Sequence, residues 1–327
     1  MRIFHLSDDL PDDARGAVLA IGNFDGVHIG HRHVIAETRG LARGLGAPSA
    51  VLTFEPHPRR LFAPEAPPFR LSSLDVKARV FDDLGVDLLY VAAFDRAFAA
   101  IPAAAFIDDI LLGRLGVRHV VVGDDFRFGH RRQGDIGLLR ERAPAAGFGL
   151  SPAPKVLDTT GAPVSSNTIR AALATGDTGL AEELLGRPWE VDGTVVHGDK
   201  RGRALGFPTA NLDIGDYLHP ARGIYAVRVG IAGKAGAAGT RWHDGAASFG
   251  LRPQFNGTEA RLEVHLLDFD GDLYGATLRV VFHAFLRGEE RFADVDALVT
   301  QIRRDVEEAR RVLAAVPPTA GGPVGRG

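Results

Sequence analysis

The stretch Ala17-Val18-Leu19-Ala20-Ile21-Gly22-Asn23-Phe24-Asp25-Gly26-Val27-His28-Ile29-Gly30-His31 decides how the first half of this chain is read. Its first five residues form a short apolar run with the character of a buried strand. Two glycines then flank an acidic residue, a composition suited to a loop around phosphates or a metal. His28 to His31 spell HIGH, and a helical pattern follows over about 32–43. A strand that turns into a helix here presents unpaired N–H groups and a partial positive charge to an anion. Gly30 lets a phosphate approach the backbone, and His28 and His31 can donate hydrogen bonds where negative charge builds up. This chemistry points to attack at the α-phosphate of a nucleotide.

Outward from that motif the first half alternates. Strands are expected at 17–21, 49–54, 87–92 and 118–122, and helices at 32–43, 73–84 and 102–115. Apolar strands alternating with helices imply βαβ units and a parallel sheet covered on both faces. Ligands of such sheets bind at the carboxyl ends of the strands. Three further chemistry-bearing loops are expected there: Thr53 to Arg60, Gly123 to Gly129, and Val164 to Arg170. Phe54, Phe62, Phe126 and Phe128 can form a flat apolar site for an aromatic ligand, and Phe54 and Phe126 suit the core equally well.

The pattern changes near Leu185 to Trp189. Short β-rich segments follow at 191–196, 224–231, 240–248, 261–268 and 277–285, which reads as a compact antiparallel barrel or sandwich. An amphipathic, well-charged helix is expected from about Val295 to Ala315, and a disordered tail after it. Domains are therefore expected at 1–186 and 187–315, with 316–327 as the tail.

Within the second half, Gly198 to Asn211 combines glycines with basic groups, a backbone suited to a triphosphate. It lacks the Gly-Lys-Ser/Thr of a Walker A loop. Thr209 and Asn211 lie two residues apart on an extended chain and offer oxygen ligands of the kind Mg²⁺ prefers beside phosphates. In Arg261 to Asp268, Leu262, Val264 and Leu266 face one way and Glu263 the other. Glu263 is thus a carboxylate on a rigid strand, able to deprotonate a substrate hydroxyl. Asp268 to Asp272 reads as a hairpin turn and is given no chemistry.

Composition narrows the function class. The 327 residues favour two domains. A net charge of −3 argues against broad electrostatic binding of nucleic acid. The absence of cysteine removes disulfides and thiolate metal sites and suits a reducing cytoplasm. No apolar run is long enough to span a membrane, and the N-terminus does not read as a signal peptide.

Taken together, these motifs resemble the bacterial bifunctional riboflavin kinase/FMN adenylyltransferases, also called FAD synthetases. The resemblance rests on Gly22 to His31, Thr53 to Arg59, Val122 to Gly129, Ser165 to Arg170, Gly206 to Asn211, Gly223 to Val227, Leu262 to Phe269, Leu273 to Gly275 and Phe285 to Arg287. It implies an N-terminal Rossmann-like nucleotidyltransferase α/β fold, which joins FMN to AMP from ATP, and a C-terminal six-stranded kinase barrel with a terminal helix, which phosphorylates riboflavin with ATP. Riboflavin, FMN and FAD are then substrates and products, and Mg²⁺ the cofactor.

The resemblance further implies roles for particular residues. His28, His31 and Glu263 would be catalytic. Gly22, Phe24, Gly30, Asp124, Ser165, Ser166 and Arg170 would bind ATP for adenylylation, and His57, Phe62, Asp125 and Phe128 the flavin. Gly198, Lys200, Gly206 and Thr209 would bind ATP in the kinase, with Thr209 and Asn211 on the metal.

Two positions depart from the family pattern. Asn167 stands where a threonine is usual, and Ser248 to Phe255 replaces a stretch that usually reads Asn-Ile-Gly-x-Arg-Pro-Thr-Phe. A different HIGH-bearing nucleotidyltransferase with a β appendage and a non-catalytic flavin-binding protein are the alternatives. An aminoacyl-tRNA synthetase is excluded by the lack of a Lys-Met-Ser-Lys-Ser element.

Overall fold

The computed structural model describes residues 1–198, 202, 205–232, 239–254 and 257–317. Lys200, residues 318–327 of the expected tail, and the side chains of 251–255 lie outside the described residues. The chain divides into two compact units. One comprises residues 1–67 and 74–165, the other 68–73 and 166–327.

The first unit is built on a six-stranded parallel sheet ordered β1-β4-β3-β2-β5-β8. Its strands are β1 (Arg2–His5), β2 (Val18–Ile21), β3 (Ser49–Glu55), β4 (Leu88–Ala93), β5 (His119–Gly123) and β8 (Gly149–Ala153), and a two-residue pair, β6 (Arg127–Phe128) and β7 (Gly134–Asp135), lies beyond β5. The four expected strands are all present within two residues of their expected ends. Both sheet edges, β1 and β8, are additional: β1 is exposed at three of four positions and carries little apolar signal.

The four inner strands feed two cores. Leu19, Ile21, Leu52 and Phe54 enter one cluster, whereas Val18, Ala20, Val51 and Val91 enter the other. This two-sided burial is why the strands read as continuous apolar runs. The main helices of this unit are α1 (Ile29–Leu45), α2 (Pro58–Phe62), α3 (Leu74–Asp83), α4 (Arg96–Ala99), α5 (Ala103–Ala105) and α6 (Ile136–Ala146). The helix expected over 102–115 begins as α5 and continues as a π-helical stretch, Phe106–Arg114.

In the second unit, strands β9 (Trp189–Val196), β10 (Ala210–Asp213), β11 (Gly223–Ala232), β12 (Thr240–Gln254), β13 (Gly257–Leu266) and β14 (Thr277–Gly288) close into an antiparallel barrel ordered β10-β13-β12-β11-β14-β9. Four-residue β10 was not expected, because it sits in a Gly/Pro-rich stretch with no alternation of its own. The alternation of β13 is as read: Leu262, Val264 and Leu266 are buried, while Arg261, Glu263 and His265 are half-buried.

Helices α7 (Ser166–Ala174) and α8 (Thr178–Leu185) belong to this unit. Ala221 N–H donates to the Leu173 carbonyl at 2.9 Å, and Thr178 Oγ1 donates to the His283 carbonyl at 3.4 Å. The segment 68–73 is tied in through Trp189 Nε1, which donates to the Leu71 carbonyl at 2.9 Å.

The C-terminal helix Val295–Ala314 starts at Asp294, whose carboxylate accepts from Ala297 N–H at 2.8 Å. Its Ala309 and Leu313 pack on Ala226 of β11. Arg228 donates to the carbonyls of Leu313 and Val316, at 3.0 and 2.9 Å, and to that of Pro317. A cation thus satisfies the last carbonyls of the helix, and Val316 and Pro317 are held at its end. Among the described residues no helix is long and apolar enough to cross a membrane.

Candidate active site

The first unit brings three of the four expected loops to one sheet edge, since β3, β2 and β5 are adjacent and parallel. Helix α1 starts at Ile29, three residues earlier than expected, because His28 is its N-cap. His28 Nδ1 accepts from His31 N–H at 3.3 Å. With Nδ1 accepting, the neutral His28 ring carries its proton on Nε2.

The His28 and His31 rings stack with centroids 3.6 Å apart. His31 Nδ1 is buried without a hydrogen-bond partner among the described residues. A proton there would be a buried donor with nowhere to go, so the neutral ring carries it on Nε2. Burial, followed by the His28 and Lys77 charges, holds His31 well below the usual histidine range.

The loop ahead of His28 is strained. Phe24 and Val27 both lie in the left-handed region, with φ of 49° and 45°. A β-branched residue there is an outlier, sustained only where its surroundings over-determine it. Both side chains are buried, and Phe24 packs edge-on against His31 and Phe81, with centroids 5.1 and 5.6 Å away.

Gly22 is spare of a side chain where a Cβ would meet the Phe24 ring at 3.3 Å. At Gly30 the space is taken by the His28 ring, so this glycine first makes room for an imidazole.

In the second loop, His57 caps α2 by accepting from Arg59 N–H at 3.1 Å. Phe62 is 71% exposed and meets Phe94 edge-on at 6.1 Å. Phe54 is core, packed on Phe94 and Phe98. Phe128 is also buried, and the half-buried Phe126 stacks on it at 5.5 Å. Of the four phenylalanines, Phe62 therefore presents its face most openly. Asp124 and Asp125 are exposed, and Asp125 pairs with Lys155 at 2.9 Å.

The fourth loop divides between the units. Ser165 ends the first unit, while Ser166 and Arg170 lie on α7 in the second. Arg170 Nε donates to the Phe69 carbonyl at 2.8 Å and Nη1 to Asn167 Oδ1 at 2.6 Å. Asn167, which departs from the family pattern, thus orients the arginine one turn further along the helix.

The second unit holds another constellation. Asn211 on β10 lies directly opposite Glu263 on β13, and Ser248 on β12 lies opposite Glu263 on its other side. Thr209 Oγ1 donates to Glu263 Oε2 at 3.4 Å. Three oxygen-bearing groups therefore converge around one carboxylate. Ser248 puts the second sequence departure beside it.

Thr209 also lines a cavity of about 650 Å³, shared with Val195, Leu266, Phe269, Asp272 and Tyr274. That volume suits a nucleotide-sized ligand. The stretch Asp268 to Asp272 carries no chemistry by its sequence, since a run of loop acids has no periodic signal; here residues 269–274 wall the cavity. Asp268, just before them, is fixed by paired bonds from Arg310, both 2.7 Å.

A Cβ at Gly198 would lie 2.3 Å from Asn211 Nδ2, so this glycine accommodates the asparagine. Gly206 has φ 87° and open space around it. No cluster of three or more His, Cys, Asp or Glu able to hold a metal occurs among the described residues.

Two compact units, one with a histidine-capped helix at a parallel-sheet edge and one with a carboxylate-centred barrel, define a two-module phosphotransfer protein. The chain belongs to the bifunctional riboflavin kinase/FMN adenylyltransferases. The FAD synthetase family model matches residues 10–168 and the riboflavin kinase model residues 185–313.

Curated relatives named bifunctional riboflavin kinase/FMN adenylyltransferase include one from Pseudomonas fluorescens, 46% identical over 94% of this chain and 96% of the relative. The relative from Escherichia coli K12 is 43% identical over 93% and 95%, and that from Bacillus subtilis 34% identical over 96% and 98%. Among solved structures, a protein from Streptococcus pneumoniae described as a macrolide-efflux protein is 30% identical. It has a TM-score of 0.80, covering 94% of this chain and 98% of that one. The chain is a transferase of FMN and FAD biosynthesis that acts on riboflavin, FMN and ATP.

Proposed function

We propose that each reaction runs at its own site: adenylylation of FMN at the His28–His31 loop, and phosphorylation of riboflavin at Glu263. Residues 1–186 are assigned to the first activity and 187–315 to the second. The observation that carries this reading is that the His28–His31 pair lies inside one compact unit and the Thr209–Glu263 pair inside the other.

In the kinase, Glu263 accepts the proton of the ribityl 5′-hydroxyl as its oxygen attacks the γ-phosphorus of ATP, and ADP leaves. The rigid strand and the flanking Asn211 and Ser248 orient this base, so positioning supplies much of the rate. Thr209 and Asn211 would hold Mg²⁺. Two neutral oxygen donors beside a carboxylate, completed by substrate phosphates, fit a hard cation that keeps few protein ligands. When bound, the ion supplies charge neutralisation on the phosphates.

In the adenylyltransferase, an FMN phosphate oxygen attacks the α-phosphorus of ATP and pyrophosphate leaves. The nucleophile is already an anion, so the task is to bring like charges together. His28 and neutral His31 donate through Nε2 to the phosphate oxygens, and the first turn of α1 adds its dipole. Gly22, Phe24, Gly30, Asp124, Ser165, Ser166 and Arg170 are assigned to ATP, and His57, Phe62, Asp125 and Phe128 to FMN. Exposed Phe62 is the aromatic face offered to the isoalloxazine ring. In the kinase, Gly198, Lys200, Gly206 and Thr209 are assigned to ATP. A net charge of −3 and the absence of cysteine support work on small molecules in the cytoplasm, without nucleic acid.

Chromatography of products from riboflavin, ATP and Mg²⁺ tests the reading. FMN should appear first and FAD after it. Glu263→Ala should abolish FMN formation yet convert supplied FMN to FAD, and His31→Ala should do the reverse. Loss of both activities in either folded variant would overturn the assignment to separate sites.

A further inference from the structure

Lys77 is a buried charge that neither reaction has so far used. It lies on α3 with its side chain 1% exposed, and its Nζ meets Glu55 Oε1 at 2.7 Å. Glu55 ends β3 and is 15% exposed, so the pair opens at the carboxyl edge of the sheet through the glutamate. Thr53, two residues earlier and on the same face of β3, donates to the Asn23 carbonyl at 3.2 Å within the loop that leads to His28. From the helix side, Phe81 lies one turn beyond Lys77 and meets Phe24, whose ring also meets His31. Strand and helix thus carry the ion pair to the back of the histidine loop by two routes.

Stability alone is a poor reason for this pair. Taking two charges out of water costs about as much as their attraction returns, and an apolar pair of similar volume generally serves as well or better. The same helix and strand already contribute Val51, Val80 and Phe81 to an apolar cluster that such a pair would extend. What an apolar pair cannot supply is a fixed positive charge behind His31.

We propose that Lys77, held by Glu55, is a positioning residue of adenylyl transfer that acts on the phosphates through His31. The need is physical. An arriving triphosphate favours protonation of any imidazole beside it, and an imidazolium in this tight stack would repel His28 and change which atoms donate. Burial is the main opponent of that protonation, and the Lys77 charge adds to it. Lys77 therefore helps to keep His31 a neutral Nε2 donor when negative charge gathers in the transition state. This inference rests on reading the His28–His31 loop as the adenylylation site.

The test uses the full chain, with riboflavin phosphorylation as an internal measure of folding. In Glu55→Leu/Lys77→Met, thermal stability and the kinase rate should be unchanged. The kcat for FMN adenylylation should fall by about tenfold to a hundredfold, with KM for ATP within about threefold of wild type. A folded double variant with wild-type adenylylation would make the pair a mere strut and overturn the proposal, as would an effect confined to KM. If that variant does not fold, Lys77→Gln and Lys77→Arg decide: a lower kcat in the first, restored in part by the second, supports the proposal, and an unchanged kcat in the first overturns it. His31→Ala is run alongside. Full adenylylation in His31→Ala would instead refute the site reading itself, whatever the Lys77 variants do.

Discussion

Gly30 and His28 occupy one space: a Cβ on Gly30 would sit 3.1 Å from His28 Cε1 and 3.2 Å from its Nδ1. The missing side chain is what lets the imidazole fold back over the first turn of α1 and accept from His31 N–H. Gly30→Ala should push the ring away and break the His28–His31 stack. FAD formation should fall by about tenfold or more while FMN formation is untouched, since the lost group would be a charge-stabilising donor. Coupled assays of the two products in one preparation check this.

A parallel crowding governs the barrel. At 2.3 Å from Asn211 Nδ2, a methyl on Gly198 cannot be accommodated without displacing the asparagine. Gly198→Ala should lower riboflavin phosphorylation and raise the Mg²⁺ concentration needed for half-maximal rate. Titration of activity against Mg²⁺ measures it; an unchanged requirement would remove Asn211 from the metal.

Chelation provides a separate check. Stripping divalent ions should stop FMN formation, and adding Mg²⁺ should restore it without refolding. Thr209→Ala should lose most of that recovery, because it removes both the proposed metal oxygen and the Glu263 partner.

Acid should unfold the protein early. His31 is held well below the usual histidine range chiefly by burial, and burial with nearby Arg228 pushes His283 down to about 4. In the unfolded chain both imidazoles take up protons below about pH 6.5. Between that value and their folded values the unfolded state binds more protons. Stability is therefore complete above about pH 6.5 and declines as the pH falls toward 4. Urea midpoints at pH 7, 6 and 5 should fall in that order, and His283→Gln should flatten the slope. Equal midpoints at pH 7 and pH 5 would contradict this.

A half-buried ion pair helps pin the C-terminal helix. Asp305, 7% exposed, accepts from Arg287 Nε and Nη2 at 2.8 and 2.7 Å and from Gln301 at 2.9 Å. Asp305→Ala leaves the arginine unpaired against the barrel and should cost about 3 kcal/mol. Denaturant unfolding measures it; a loss below about 0.5 kcal/mol would place the pair with ordinary surface bridges.

Much of this was legible from residue order. Local periodicity located β2 to β5, the long barrel strands and the terminal helix, because two-sided burial and strict alternation leave direct traces in which residues are apolar. Glu263 was legible for the same reason, as the polar member of an alternating strand. Strands β1, β8 and β10 were not: short, edge-like or glycine-rich segments become strands only because a neighbour offers hydrogen bonds.

The sequence by itself determined the two kinds of architecture, the loops that bear chemistry and, through their order, the family. Tertiary structure alone decided which groups meet. It placed the His28 ring over Gly30, Asn211 and Ser248 on either side of Glu263, residues 269–274 around the cavity, and Lys77 with Glu55 behind His31. The reason is distance along the chain. Residues 22 and 54 positions apart, as in Glu55–Lys77 and Thr209–Glu263, come together through sheet register and helix packing, and no local pattern of side chains encodes that juxtaposition.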